Sequence, residues 1–469
     1  MICHLKNHNY KNEVQTTVQL FFPNTGCTFC AQMPPVGYFV ETEITDPVAI
    51  CRVFEDGVLV NETSISRKLR EIEVLQLPMR RVLMLAIYHA LQKVVGAYTP
   101  WGALTGIRPS KMVREWIDQG FTKDQVIATM GNPFCCSPHK ATLAHTVAMA
   151  EKNLTEKIYA QVKNPIGIYI SVPFCPTRCV YCSFSVDHNF ASKNIHQEYI
   201  DALVKECATK AAYLKEICGN VSSVYIGGGT PTALAEPLLQ QLLEAVAINF
   251  DTNLEYTVEA GRPDTLTTNK LKLLASYGVN RIAVNPQTLK DDTLAFIGRK
   301  HTADQFYRAF ENARDAGFKT INTDVIVGLP GETLEDVAHT MERLASLAPE
   351  NITVHTLAIK RASTLNQHLD KYPLPTAHQT EAMLATAQEI CQGAGLNPYY
   401  MYRQKNMVGM FENLGYSKAG HECLYNVGMM AETQTVLGIG AGAVSKFVED
   451  GLITREFNVK NPEIYVQRQ

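Results

Sequence analysis

Hydrophobic and polar positions along the chain fall into two textures. In the first, Val48-Ala49-Ile50-Cys51-Arg52-Val53-Phe54 and Val58-Leu59-Val60 flank Glu55-Asp56-Gly57. The Asp-Gly turn signal between two β-rich runs predicts a hairpin. From about Ser66 to Val95 the spacing becomes helical, with Val82, Leu85 and Ala86 followed by Leu91, Val94 and Val95. The loop Trp101 to Ser110 follows, and further helices are expected to about Ala160. After Asn164-Pro165 the second texture begins, short β-branched runs alternating with longer amphipathic stretches. Strands are predicted at Ile166 to Val172, Ser222 to Ile226, Glu255 to Val258, Arg281 to Asn285, Thr320 to Val327 and Ile352 to Leu357. Helical stretches separate them, near His196 to Ile217, Leu234 to Ile248, Leu266 to Tyr277, Asp291 to Ile297, Ala303 to Ala316 and Thr333 to Leu347.

Six β/α repeats imply an α/β fold with a parallel sheet and right-handed crossovers, either doubly wound or a partial barrel. In both, chemistry belongs just past the C-terminal strand ends. The notable residues fall there: Cys175 after the first strand, Gly227 to Thr230 after the second, Glu259 after the third. Gln287 follows the fourth, Asp324 closes the fifth and Ala358 ends the sixth. Beyond about 365 the expectation is helices and a Gly-rich segment, Gly438 to Ala443. The division expected is an N-terminal α/β domain at 1–160, a central unit at 161–365 and a C-terminal region at 366–469.

Composition narrows the class. At 469 residues, two or three domains of about 150 residues are expected. With 46% hydrophobic and 19% charged residues, a sizeable core is available and global disorder is excluded. Lys plus Arg is 43 against 46 Asp plus Glu, a net charge of −3 that argues against a life on nucleic-acid phosphates or anionic lipid. No apolar run approaches the roughly 20 residues that cross a bilayer. The first residues, Met1 to Asn7, do not read as a signal peptide, so a cytoplasmic protein with reduced thiols is expected.

Three of the thirteen cysteines stand apart. Cys175-x-x-x-Cys179-x-x-Cys182 lies on a loop that begins with Pro173 and directly follows a strand. Three thiolates on one short loop can hold three irons of a cubane [4Fe–4S] cluster, leaving the fourth iron open to a small molecule. The alternatives are a zinc site, with His188 considered as a fourth ligand, or three unrelated buried thiols. The specific spacing favours the cluster. Cys27-x-x-Cys30 has no second pair nearby and reads as plain buried thiols. Gly227-Gly228-Gly229 lacks the Lys-Ser/Thr of a phosphate loop, and its place after the second strand is what raises it.

With Tyr181 before the last cysteine and the Gly-rich turn after the next strand, the motif resembles the radical S-adenosylmethionine superfamily. Tyr169-Ile170-Ser171-Val172-Pro173-Phe174-Cys175, Gly227 to Thr232 and Asn322 to Gly331 resemble its oxygen-independent coproporphyrinogen III oxidase branch. The Trp101 to Ser110 loop and Tyr402-Arg403-Gln404-Lys405-Asn406 look closest to the coproporphyrinogen dehydrogenase group of the HemZ type. The resemblance implies a partial (β/α)6 TIM-like barrel with an N-terminal α/β domain and a substrate-covering C-terminal extension.

Carried over position by position, it implies that Cys175, Cys179 and Cys182 ligate the cluster. One or two molecules of S-adenosylmethionine would bind, the methionyl group of one chelating the open iron. Tyr169 and Tyr181 would line the nucleoside, and Gly228, Gly229 and Thr230 would approach the methionyl end. Glu259 and Gln287 would be polar contacts, Arg299 a carboxylate clamp, Asp324 a ribose partner and Ala358 a backbone contact to adenine. The implied reaction is radical decarboxylation of coproporphyrinogen III to protoporphyrinogen IX in haem biosynthesis, with Arg403 and Lys405, and also Arg108, as candidate partners of the substrate carboxylates. Implied partners are the porphyrinogen and an electron donor such as flavodoxin or ferredoxin, with no nucleic acid and no membrane span. Two departures stand out: Phe184 where the best-characterised dehydrogenases carry a fourth cysteine, and Ser171 where they carry histidine. The Phe184 pattern also occurs in haem-chaperone relatives. A haem-transfer protein is therefore the second hypothesis, and another radical reaction on a tetrapyrrole the third.

Overall fold

In the computed structural model the described residues are all except 24, 68–76, 98, 107, 185–192 and 450, together with the side chains of 193 and 194. His188 therefore lies outside them. The chain divides into two compact units, Met1–His145 and Thr146–Gln469.

The first unit carries a five-stranded sheet of β1 (Ile2–Lys6), β2 (Thr28–Phe29), β3 (Tyr38–Thr45), β4 (Val48–Glu55) and β5 (Val58–Ser66), in the order β2-β1-β3-β4-β5. The hairpin is present, with Asp56 and Gly57 both at positive φ in its turn. Of the helical stretch expected from about Ser66 to Val95, residues 68–76 lie outside those described; Ser66 itself ends β5, and the described helix spans Met79–Val95. Val58 to Ser66 offers β-branched residues and no apolar stripe at helical spacing. Pro78, which cannot sit in a helix interior, stands at the N-cap.

Among its described residues the second unit is built on an eleven-stranded sheet. β6 (Pro165–Val172), β7 (Asn220–Gly228), β8 (Tyr256–Gly261), β9 (Arg281–Val284), β10 (Thr320–Val327) and β11 (Asn351–Thr356) lie side by side in chain order and pair in parallel. β11 does not pair with β6, so the barrel is partial and open. Helices connect these strands. The helix Lys193–Glu216 buries Tyr199, Leu203, Cys207 and Leu214 along one face. Ala303–Asp315 and Leu334–Ser346 start from capping boxes at Thr302 and Thr333, each cap contributing ~1 kcal/mol.

The region beyond 365 holds five strands that the sequence pattern did not reveal: β12 (Asn397–Tyr402), β13 (Asn413–Ser417), β14 (Thr435–Ile439), β15 (Val444–Glu449) and β16 (Leu452–Phe457). β13 and β12 extend the sheet antiparallel from β11. On the other side, β14 adds a parallel strand to β6, and β15 and β16 follow antiparallel. Pro398 to Met401 and all of β13 are buried, and a strand buried on both faces shows no alternation to read. The Gly-rich segment closes β14. Gly440 sits at φ 94°, and a Cβ there would lie 2.6 Å from the Ser171 carbonyl oxygen and 2.7 Å from the Tyr199 hydroxyl, so only glycine permits the approach.

Candidate active site at the strand ends

The cysteine loop follows β6 and is tied to its surroundings at several points. Thr230 N–H donates to the Phe174 carbonyl (2.7 Å), Val180 N–H to Ile297 (3.0 Å) and Leu365 N–H to Val180 (2.8 Å). The Thr177 hydroxyl donates to the Gly298 carbonyl at 3.1 Å and receives Arg262 Nη1 at 2.6 Å. The Gly-rich turn packs directly beneath. A Cβ on Gly229 would stand 2.7 Å from the Phe174 carbonyl oxygen and 2.8 Å from that of Val172, and Gly228 has φ 101°. These glycines let the turn approach the loop backbone, and they bring Thr230 Oγ1 to 3.3 Å from Cys175 Sγ.

Cys179 is buried, and Cys175 and Cys182 are partly exposed. Burial pushes the Cys175 thiol up to about 11 and raises that of Cys182, so a bound metal must offset desolvation of the thiolates. Among the described residues, no three His, Cys, Asp or Glu side chains converge on a single metal ion. A cubane takes one thiolate on each of three separate irons.

Beside the loop, over the ends of β7 to β11, lies a cavity of about 560 Å³. Its lining includes Tyr181, Glu259, Gln287, Asp324, His355 and Ala358, bringing together residues from the cysteine loop and four strand ends. Burial pushes the Asp324 carboxyl up, but His355 Nε2 at 3.6 Å and the Asn322 amide at 2.7 Å outweigh it and hold the carboxyl below its usual range. The Asn285 amide adds a bond at 2.8 Å. Burial, with Asp324 adding repulsion, raises the Glu259 carboxyl to about 7, against which the Tyr225 hydroxyl donates at 3.4 Å. Two carboxyls in one cavity thus sit on opposite sides of their ordinary range. Gln287 adopts φ 70° between backbone bonds to Asp324 and Ile326, and its buried Oε1 has no partner. An orphaned acceptor at the rim is what a hydrogen-bonding cofactor would satisfy.

Arg299 lies deeper, its Nη2 donating to the carbonyls of Gly261 (3.2 Å) and Asn285 (2.7 Å) and its Nη1 to the Tyr181 hydroxyl (3.5 Å). Its buried Nε is without a partner. Ala358 forms a bridge with Met407. Arg403 is buried and donates to the Met410 carbonyl at 2.8 Å. Neither Arg403 nor Lys405 is among the described residues lining this cavity, whereas Lys360 and Gln404 are, hydrogen-bonded to each other. Arg108 belongs to the first unit. His355 and Lys360 escaped the sequence reading. The alternation Thr353, His355 along β11, continued by Leu357 just past its end, was the available signal for His355.

A second cavity of about 320 Å³ lies at the ends of β6 and β7, beside the turn after β14, and shares Ser183 and Phe184 with the first. Tyr169 lines it and lies in a stack with Tyr225 and Tyr425. Ser171 lines it too, its hydroxyl donating to the Ala441 carbonyl at 2.8 Å. The serine that stands in place of histidine thus fastens β6 to the Gly-rich turn.

The model of the radical SAM superfamily matches residues 169–344. The oxygen-independent coproporphyrinogen-III oxidase-like protein HemZ of Bacillus subtilis is 38% identical over 383 residues, 81% of this chain and 76% of that protein. The heme chaperone HemW of the same species is 32% identical over 280 residues, 59% of this chain and 69% of its own. Among solved structures, the coproporphyrinogen III oxidase HemN from Escherichia coli is similar in fold, with TM-score 0.54 and 22% identity, covering 68% of this chain and 71% of that one. Among the described residues no helix is long and apolar enough to cross a membrane.

Proposed function

The chain belongs to the radical S-adenosylmethionine superfamily, in its oxygen-independent coproporphyrinogen-III oxidase-like branch of the HemZ type, and on that premise we propose that it decarboxylates coproporphyrinogen III to protoporphyrinogen IX without oxygen. Its cofactors are a [4Fe–4S] cluster and S-adenosylmethionine. Once bound, the pair supplies radical abstraction of hydrogen from an unactivated carbon, and the protein supplies orientation and exclusion of water.

The residues divide that work. Cys175, Cys179 and Cys182 hold three irons. Gly228, Gly229 and Thr230 border the methionyl end, and Arg299 clamps its carboxylate. Asp324, kept ionised by its amide and imidazole neighbours, accepts the ribose hydroxyls. Glu259 and Gln287 give polar contacts, Tyr181 flanks the nucleoside and Ala358 meets the adenine edge, while Tyr169, which lines the second cavity and not the first, falls to the substrate side. An electron donor such as flavodoxin or ferredoxin would serve the cluster, and an electron acceptor would take the one electron left on the substrate after hydrogen abstraction and loss of CO₂.

One observation carries the decarboxylase reading: the similarity to HemZ spans 81% of the chain, more than the whole of Thr146–Gln469, and so enters the first unit. A second reading, haem transfer, is favoured by the similarity to HemW and by Phe184 at the position of the fourth cysteine. One anaerobic experiment separates them. Reconstituted protein, S-adenosylmethionine, reductant and coproporphyrinogen III are incubated, and the porphyrins are resolved by chromatography. Vinyl products support decarboxylation. Stoichiometric haem binding with no vinyl product, under conditions that do yield 5′-deoxyadenosine, supports transfer.

A further inference from the structure

The second cavity has walls unlike those of the first. Phe184, 67% exposed, Tyr169 and Pro173 offer apolar and aromatic surface, Ser171 and Ser183 offer hydroxyls, and Lys460 is the one charged side chain among its described lining residues. Lys460 comes from almost three hundred residues beyond the cysteine loop, yet its backbone is fixed on both sides. Gly442 N–H donates to the Val459 carbonyl at 2.8 Å, and Asn458 N–H to Ala443 at 3.0 Å. On the other side, Asn461 caps the helix Pro462–Arg468 through a 3.0 Å bond from Ile464 N–H.

A buried carboxylate holds the whole assembly. Glu206, on the helix Lys193–Glu216, accepts from Gly440 N–H (2.8 Å), the Asn458 amide (3.0 Å) and the Tyr465 hydroxyl (2.5 Å). The Tyr199 hydroxyl receives Ala441 N–H at 2.8 Å and donates to the Ser171 carbonyl at 2.8 Å. Three segments distant in sequence are thus locked around one opening. Among the described residues Lys460 has neither an ion pair nor a side-chain hydrogen bond, whereas the Lys360 ammonium in the first cavity donates to Gln404.

We propose that Lys460 anchors a carboxylate of the tetrapyrrole substrate in the second cavity, with the ring edge against Phe184 and Tyr169. This rests on the decarboxylase reading for the identity of the substrate, and it moves the principal cation of the substrate site from Arg403 and Lys405 to the C-terminal segment. Because Ser183 and Phe184 border both cavities, a propionate held by Lys460 lies next to the cofactor's space. A compact ammonium at a partly open rim suits a flexible propionate, for which it acts as a point charge.

The test is a binding titration on reconstituted holoprotein with coproporphyrin III, the stable oxidised tetracarboxylate, followed by porphyrin absorbance and fluorescence. Lys460→Ala should weaken binding about tenfold, as expected for one charge-assisted hydrogen bond, Lys460→Arg should restore most of it, and Lys460→Glu should weaken it further. Thermal melts of the same samples report folding. Equal affinity in wild type and Lys460→Ala, or no binding to the wild type, overturns the assignment. A lost affinity for S-adenosylmethionine in place of the porphyrin would assign Lys460 to the methionyl carboxylate and overturn it as well. Lys460-dependent binding without any release of CO₂ from coproporphyrinogen would uphold the anchor while overturning the decarboxylase reading.

Discussion

The two cavities meet at Ser183 and Phe184 but differ in how the chain builds them. The larger is lined chiefly by the cysteine loop and by the ends of consecutive parallel strands, with Glu259, Asp324 and His355 on its wall. The smaller gathers Tyr169 and Ser171 from β6, Phe184 from the cysteine loop, Ala441 from the Gly-rich turn and Lys460 near the C-terminus. One is acidic and hydrogen-bonding, suited to a polar nucleoside. The other sets aromatic surface beside two hydroxyls and, among its described lining residues, a single cation, suited to a ring that carries acids. The proposed division between a cofactor side and a substrate side rests on that difference in wall chemistry.

Removing the loop thiols should break the comparison entirely. In Cys175→Ala, Cys179→Ala or Cys182→Ala the stable cluster is lost, measured as iron and sulfide content after anaerobic reconstitution, and no 5′-deoxyadenosine forms. Cys27→Ala and Cys391→Ala should retain about four irons per chain. Stoichiometric zinc in protein purified without oxygen would instead support the other metal reading.

Asp324→Ala sharpens the division. S-adenosylmethionine affinity should fall about ten- to a hundredfold, the equivalent of roughly 1.5 to 3 kcal/mol, while coproporphyrin III affinity stays within about twofold. Equal losses for both ligands would merge the two cavities into one site.

A smaller effect comes from Glu259. Its carboxyl is raised from an ordinary 4.5 to about 7 in the fold. Between those values the folded state therefore holds more protons than the unfolded state, and stability falls as pH rises from about 4.5 to about 7. Glu332, also raised to about 7 by burial, acts in the same direction. Thermal melts of metal-free protein at pH 5.5 and 7.5 should show a drop in Tm that is smaller in Glu259→Gln. An unchanged drop would mean that Glu259 is ionised throughout that range.

The smallest effect on ligand binding is expected from Arg403→Ala. Because Arg403 is buried against the Met410 carbonyl, the variant should lose about 1 to 3 kcal/mol of stability and bind coproporphyrin III more tightly than Lys460→Ala does. The reverse order would return the substrate carboxylate to Arg403.

These contrasts also explain what could be read in advance. The six strands, the cysteine loop and the rim positions at Glu259, Gln287 and Asp324 were legible because each is local: a β-branched run, a spacing, a residue just past a strand. β12 to β14 were not, since strands such as β13 are buried on both faces and carry no alternation, and β16, exposed along nearly its whole length, carries none either. Ser171 shows the limit most clearly. Its hydroxyl partner, Ala441, lies 270 residues away, and no local pattern encodes a bond of that reach. Lys460 in sequence is one lysine before a short amphipathic tail, and only the bonds among Glu206, Asn458 and Tyr465 place it at a cavity.

The central claim is that the substrate side accepts a porphyrinogen whose propionates are converted beside the cofactor. The most direct measurement uses coproporphyrinogen III labelled at its propionate carboxyls, incubated anaerobically with reconstituted protein, S-adenosylmethionine and reductant. The expected result is labelled CO₂ released in step with 5′-deoxyadenosine and with vinyl formation, and abolished together with both in Cys179→Ala. Steady 5′-deoxyadenosine formation with no labelled CO₂, alongside stoichiometric haem binding, would contradict it.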